Sequence, residues 1–219
     1  ILTINDSSNK VVPFRDVLDL SPAQQASLNA GWVGLVNPEP KAQDVLNFLR
    51  GDKSNEGVDP TNFRLRAHAL GDIVYSGAVP VGAPSQPYTD TQPGYKEFVA
   101  AKSGRTPMVY AGANDGMLHA FVDSSSLADA GKEAWAYVPK ALFSNEDPNG
   151  TEPATGFQLG ALSYHMYLKP SFNHKFYVNA TPRIWDVDFA YTKTKTPPDA
   201  GSSEWHTMLV GGLGAGGRA

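Results

Sequence analysis

Residues 105–139, RTPMVYAGANDGMLHAFVDSSSLADAGKEAWAYVP, read as three short strands and decide the architecture. Met108 to Ala113 forms the first, and Asn114, Asp115 and Gly116 supply the positive φ that a tight hairpin turn requires. Met117 to Val122 alternates again, with Met117, His119 and Phe121 on one face and Leu118, Ala120 and Val122 on the other. Both faces are largely apolar, so this strand needs cover on two sides. A polar loop leads to Gly131-Lys132-Glu133 and a third strand at 134–138, where Trp135 and Tyr137 share a face. His119 is expected to be a hydrogen-bonded core residue rather than a metal ligand.

Such a unit cannot bury both faces alone, and stacking blades radially in a β-propeller solves the problem. Working outward, YAGANDGMLHAF followed by GKEAWAYVP resembles the quinoprotein-like propeller blade. More narrowly, the chain resembles the C-terminal domain of the PilC/PilY family of type IV pilus biogenesis and tip adhesin proteins. VLNFLRGD (45–52), LGDIVYSGAVPVGAP (70–84), HKFYVNATPRIWDV (174–187) and WHTMLVGGLGAGGR (205–218) carry that resemblance in order. It implies a mainly β fold: part of a β-propeller of quinoprotein-like blades (67–219) behind a lead-in (1–66) of short strands and a helix near 40–50. Two or three blade-like units fall short of the roughly 4–8 that close a ring. A piece of a larger polypeptide is therefore expected, with later blades outside this sequence.

The lead-in opens with strand-like pieces at 1–4 and 11–12 around a turn, Asp6-Ser7-Ser8-Asn9. Ser21-Pro22 offers an N-cap and a first-turn proline for a short helix at 23–30. The clearest helix spans about 40–50, with Ala42, Val45, Leu46 and Leu49 as its apolar stripe and Gly51 at the C-terminal cap. Arg50, Gly51 and Asp52 form the tripeptide that integrins recognise. The helix-end reading is preferred, because arginine suits the negative pole of the helix and glycine its cap.

Farther on, Arg64 and Arg66 are expected to pair with acidic groups of neighbouring blades. Residues 70–82 read as a strand, a glycine break and a second strand, 85–94 as a surface loop, and 95–101 as a short helix or turn. Asn145, Asp147 and Asn149 occupy alternating positions of a calcium-type loop, but Gly156 stands where a bidentate Glu belongs, so an ordinary turn is the better reading. The resemblance implies a calcium loop beyond Ala219. Residues 159–168 fit a helical turn or a strand, whereas 176–178, 183–187 and 205–210 read as strands. The loop at 191–204 is polar, and the glycines of 211–217 allow close backbone approach. Trp135 and Trp205 are the expected buried aromatics of the blades.

Charge is nearly balanced, 18 Lys plus Arg against 22 Asp plus Glu, without the basic stripe of a nucleic-acid surface. Zero cysteines exclude disulfides and thiolate metal sites. No apolar run approaches the roughly 20 residues of a membrane span. The glycine run lacks dinucleotide-loop and P-loop spacing, no histidine pair sits at i, i+4 beside a glutamate, and no G-x-S-x-G is present. A quinoprotein dehydrogenase would need a calcium-held cofactor, a catalytic Asp and a stacking Trp, which the chain does not arrange recognisably. The expectation is a non-enzymatic structural and interaction domain with no cofactor in this chain. The resemblance implies export to the cell surface, outer membrane or pilus tip, with minor pilins, the pilus fibre and host surfaces as partners. It also implies support of pilus extension against retraction. A surface adhesin or carbohydrate-binding propeller without an assembly role is the alternative.

Overall fold

A computed structural model of the chain describes residues 1–34, 36, 39–88, 92–126, 128–143, 159–165, 172–190 and 203–217. Among them are eight strands and three short helices: β1 (Leu2–Asn5), β2 (Lys10–Pro13), α1 (Pro22–Asn29), α2 (Ala42–Leu49), β3 (Val79–Val81), α3 (Tyr95–Lys102), β4 (Met108–Ala113), β5 (Met117–Val122), β6 (Glu133–Val138), β7 (Arg183–Asp188) and β8 (Trp205–Val210). The expected loops at 144–156 and 191–204 lie wholly or mostly outside the described residues, as do Asn145, Asp147 and Asn149.

Strands β3 to β6 are consecutive antiparallel neighbours, which is the meander of one propeller blade. The central hairpin turns where the sequence places it. Ala113 pairs with Met117, and Gly116 takes φ 90°, a conformation costly for any residue with a Cβ. Between β5 and β6 the register shifts: Ala120 faces Trp135, whereas Phe121 faces Glu133. This bulge at Ala134 turns Glu133 onto the face that carries His119. Strands β7 and β8 form a separate antiparallel pair, and the described residues close no ring.

The lead-in is built into the first blade. Strand β1 runs parallel to β6, with Leu2 opposite Tyr137 and Thr3 opposite Val138, so the sheet continues β2-β1-β6-β5-β4-β3. The Thr3 hydroxyl, fully buried, donates to the Val138 carbonyl at 2.8 Å. Ser21 and Gln24 cap α1 reciprocally, and the Gln24 amide reaches the Ile4 carbonyl at 2.9 Å, fixing the helix to β1. In α2, Val45, Leu46, Phe48 and Leu49 are buried, and Gly51 follows with φ 104°. These side chains share one core with Met117, Leu118, Ala136, Val138, Leu159, Tyr177 and Val178, so residues on both sides of position 66 are packed together.

Three expectations give way. Residues 70–78 form no strand and run as an irregular strap in which Ile73, Val74 and Tyr75 are exposed; only Val79–Val81 is extended and paired. Residues 176–178 likewise form no strand: one backbone bond, from Val178 N–H to the Ala113 carbonyl at 3.3 Å, ties them to β4, and the glycine turn at 214–216 packs directly on them. A Cβ on Gly216 would lie 2.0 Å from the Tyr177 carbonyl oxygen. The close approach expected of those glycines is thus made against this segment. Trp135 and Trp205 are half-buried; the fully buried indole belongs to Trp32, in the turn after α1. It is 1% exposed, donates to Ser163 Oγ at 2.9 Å and packs at a tilt on Phe63 and edge-to-face with Tyr164.

Candidate interaction site

Two clusters of polar side chains stand out beside the first blade. The first centres on His119. Its Nε2 lies 3.1 Å from both carboxylate oxygens of Asp115 in the hairpin turn, and its Nδ1 lies 2.6 Å from Glu133 Oε1. Burial opposes a charged imidazole here, but the two carboxylates outweigh it and push the pKa up to about 9. Bonding to His119 also holds the Glu133 carboxyl below its usual range, against a smaller opposing effect of burial. Both ring nitrogens are engaged, so His119 has no nitrogen left to act as a base. The expected hydrogen-bonded core role is what the geometry shows.

Asp115 does more than hold the histidine. Its Oδ2 accepts from Gly71 N–H at 2.7 Å and its Oδ1 from Met117 N–H at 3.1 Å, which moors the strap to the hairpin turn. The strap, the turn and the segment around Phe172–Lys175 enclose a cleft of about 270 Å³. Arg66, at its edge, has all three guanidinium nitrogens engaged: Nε bonds Glu56 at 2.7 Å, Nη1 and Nη2 donate to the carbonyls of Phe48 and Asp52, and the guanidinium lies 3.5 Å from the Phe48 ring centroid. The acid is in its own segment rather than in a neighbouring blade. Arg64 differs. Its Nε donates to the Leu162 carbonyl at 2.6 Å and its guanidinium lies 4.1 Å from the Phe172 centroid. Its terminal nitrogens have no acceptor among the described residues. Burial, with a smaller push from Arg66, lowers its pKa. Across the cleft Asp72 pairs with His174 at 3.0 Å.

The second cluster joins the blade to the β7–β8 hairpin. Arg105 donates to the Gly82 carbonyl through Nε and Nη2, and to Thr207 Oγ1 at 2.7 Å through Nη1. The Thr207 hydroxyl donates in turn to Asp186 Oδ1 at 2.7 Å, while Tyr95 donates to Oδ2 at 2.8 Å. Burial, then the bond to Asp186, pushes the Tyr95 phenol up to about 12. Tyr88, Tyr95 and Trp205 pack ring on ring beside it. Sequence reasoning missed this seam. The available signal was parity: Asp186 alternates with Ile184 and therefore points inward on a strand.

Arg50 follows α2 and donates through Nη1 to the Phe14 carbonyl at 2.8 Å. Asp52 is exposed; its Oδ1 accepts from Ser54 N–H, and this bond holds its carboxyl below the usual range. Among the described residues no three His, Asp or Glu side chains are arranged to hold a metal ion, and no helix is long and apolar enough to cross a membrane.

A four-stranded meander, carrying a turn-to-edge histidine clamp and joined to the next hairpin by a polar seam, defines the class: a β-propeller protein, mainly β, whose described residues close no ring. The model of the PilY1 beta-propeller domain matches residues 70–219, and the chain belongs to that family. It is similar to "Type IV pilus biogenesis factor PilY1" of Pseudomonas aeruginosa strain PAK, 36% identical over 204 residues, 91% of this chain and 14% of that protein. The same-named protein of strain UCBPP-PA14 is 32% identical over 226 residues, 98% of this chain and 16% of that protein. A "Type IV pilus biogenesis factor PilY1 homolog" of Xylella fastidiosa strain Temecula1 is 36% identical over 178 residues, 79% of this chain and 12% of that protein. The chain thus spans about a seventh of the length of the curated relatives it matches. No solved structure gives a significant match.

Proposed function

We propose that the chain is a rigid structural and interaction part of an exported type IV pilus biogenesis protein, located at the cell surface or on the pilus. One observation carries the reading: the family match over 70–219 coincides with the blade, the strap and the second hairpin, all of which are ordered around each other. A sheet unit braced at both ends presents a fixed surface at little ordering cost on binding, as a docking part of an assembly machine requires. Its partners would be the pilus fibre and its minor pilins, and the assembled protein would support extension against retraction and contact surfaces.

The test is genetic and microscopic. Deleting the protein should reduce the pilin sheared from the cell surface, and an antibody against this chain should label filament ends. Pili returning when retraction is also disabled would assign the role to opposing retraction. Unchanged piliation in the deletion, or protein found only free in the medium, would sink the pilus reading.

A further inference from the structure

The Arg64 cleft carries an inference that does not rest on the pilus reading. A half-buried guanidinium keeps its full charge and, where its nitrogens lack protein acceptors, forms a planar fork suited to a carboxylate. Arg64 is placed in that way. Its Nε is held by the Leu162 carbonyl and its plane by the Phe172 ring, so little rotational freedom remains to be lost on binding. The terminal nitrogens have no acceptor among the described residues. The carboxylates that line the same cleft are engaged elsewhere: Asp72 with His174, and Asp115 with His119 and Gly71. Neither accepts a hydrogen bond from Arg64, although the Asp72 charge acts on it at a distance.

A second, independent observation points the same way. Asn114, also lining the cleft, is 5% exposed, and its side-chain Nδ2 has no hydrogen-bond partner among the described residues, although its Oδ1 accepts from Tyr177 N–H. Buried amide donors are nearly always satisfied, and one without an acceptor among the described residues, in the wall of the same cleft as Arg64, marks a place for an acceptor group. The rim is mixed: Leu65 is 60% and Leu70 43% exposed, next to exposed His68, Asp72 and His174. The exposed leucines favour an acceptor carried on an apolar segment, and the Asp72 carboxylate at the rim disfavours a multiply charged phosphate. At about 270 Å³ the cleft suits a chain end or one acidic side chain with an apolar neighbour rather than a folded module.

We infer that the cleft between residues 64–72 and the β4–β5 turn binds a carboxylate of a polypeptide partner, with Arg64 as the clamp and Asn114 as a second donor. The carboxylate comes from the partner's C-terminus or from an Asp or Glu flanked by apolar residues.

Fluorescence anisotropy with the full-length protein tests this, using three labelled leucine-rich hexapeptides. One has a free C-terminus and no acidic side chain, one an amidated C-terminus and an internal Glu, and one is amidated and neutral. Saturable binding of either carboxylate peptide is expected, without binding of the neutral one; the peptide that binds identifies the source. Arg64→Gln should weaken it at least tenfold with thermal melting unchanged. Should that variant not fold, Arg64→Lys decides, because it retains charge and stem but loses the fork and should also weaken binding severalfold. Binding of the neutral peptide, no binding of any peptide, binding of oligogalacturonate in place of peptide, or undiminished binding by the folded variants would each overturn the inference. Filament labelling reads the pilus role separately, so either claim can fail alone.

Discussion

Nδ1 of His119 lies 2.6 Å from Oε1 of Glu133, a contact that exists because the bulge at Ala134 rotates Glu133 onto the histidine's face. The clamp makes stability depend on pH in a definite direction. His119 titrates at 6.5 when unfolded and at about 9 when folded, so the folded state holds the proton more tightly. Its contribution is complete below about pH 6.5 and is lost as pH rises through 9. The difference corresponds to about 3 kcal/mol. Denaturant melts between pH 6 and 9.5 should show this fall, and His119→Gln should flatten it. A wild-type midpoint that stays level across that window would remove the clamp from the account. At the acid end Glu133 acts with the opposite sign, its share being lost as pH drops below 4.5.

The buried indole is a second point of test. Trp32 is 1% exposed and bonds Ser163, whereas Trp135 is half-buried with its ring beside Tyr110. Trp32→Ala should cost about 3–5 kcal/mol by urea unfolding, the range for a large core aromatic. Trp135→Ala should cost clearly less. A loss at Trp32 no larger than that of an exposed substitution would show that the lead-in is not part of the core.

Glycine spacing in the last turn gives a third. At Gly216 a Cβ would meet the carbonyl oxygens of Tyr177 at 2.0 Å and Phe176 at 2.6 Å, backbone atoms that cannot move aside cheaply. Gly216→Ala should destabilise by about 1–3 kcal/mol. Gly104, with no atom within 4 Å of such a Cβ, is the control, and Gly104→Ala should melt like the parent protein. Similar melting of both variants would mean that the turn does not pack on 176–177.

What the sequence disclosed, and what it hid, follows from the range of the interactions. The β4–β5 hairpin was legible because Asn114-Asp115-Gly116 and the flanking alternation are local signals, and so were Ser21-Pro22 and the stripe of α2. The strap at 70–78 was misread as a strand because Ile73, Val74 and Tyr75 have strand-forming side chains, yet its backbone is taken up by long-range bonds such as Gly71 to Asp115 and Gly77 to Thr181. The cleft was hidden for the same reason. Arg64 and Asn114 are 50 positions apart, and nothing in either neighbourhood announces that, among the described residues, one will lack an acceptor for its terminal nitrogens and the other a partner for its amide. Trp32 sits in a turn between helices without periodicity, so its burial is visible only once Ser163 and Phe63 are placed around it.

The seam between the blade and the second hairpin yields the last prediction. Arg105 reaches Asp186 through the Thr207 hydroxyl, which accepts from the guanidinium and donates to the carboxylate. Asp186 is 3% exposed, so the chain of bonds lies where each one is strengthened by the low local polarity. Arg105→Met keeps the length of the side chain and removes the donors. Loss of a hydrogen bond to a charged group costs about 1.5–3 kcal/mol, which converts to roughly ten- to hundredfold faster amide exchange wherever the seam limits opening. The acceleration should be confined to β7 and β8. Amides of β4 and β5, paired in their own hairpin, should keep the parent protection. Uniform acceleration across both sheets would mean that blade and hairpin open as one unit and that Arg105 braces the whole fold, while unchanged exchange in β8 would show that the aromatic packing of Tyr88, Tyr95 and Trp205 holds the seam without it.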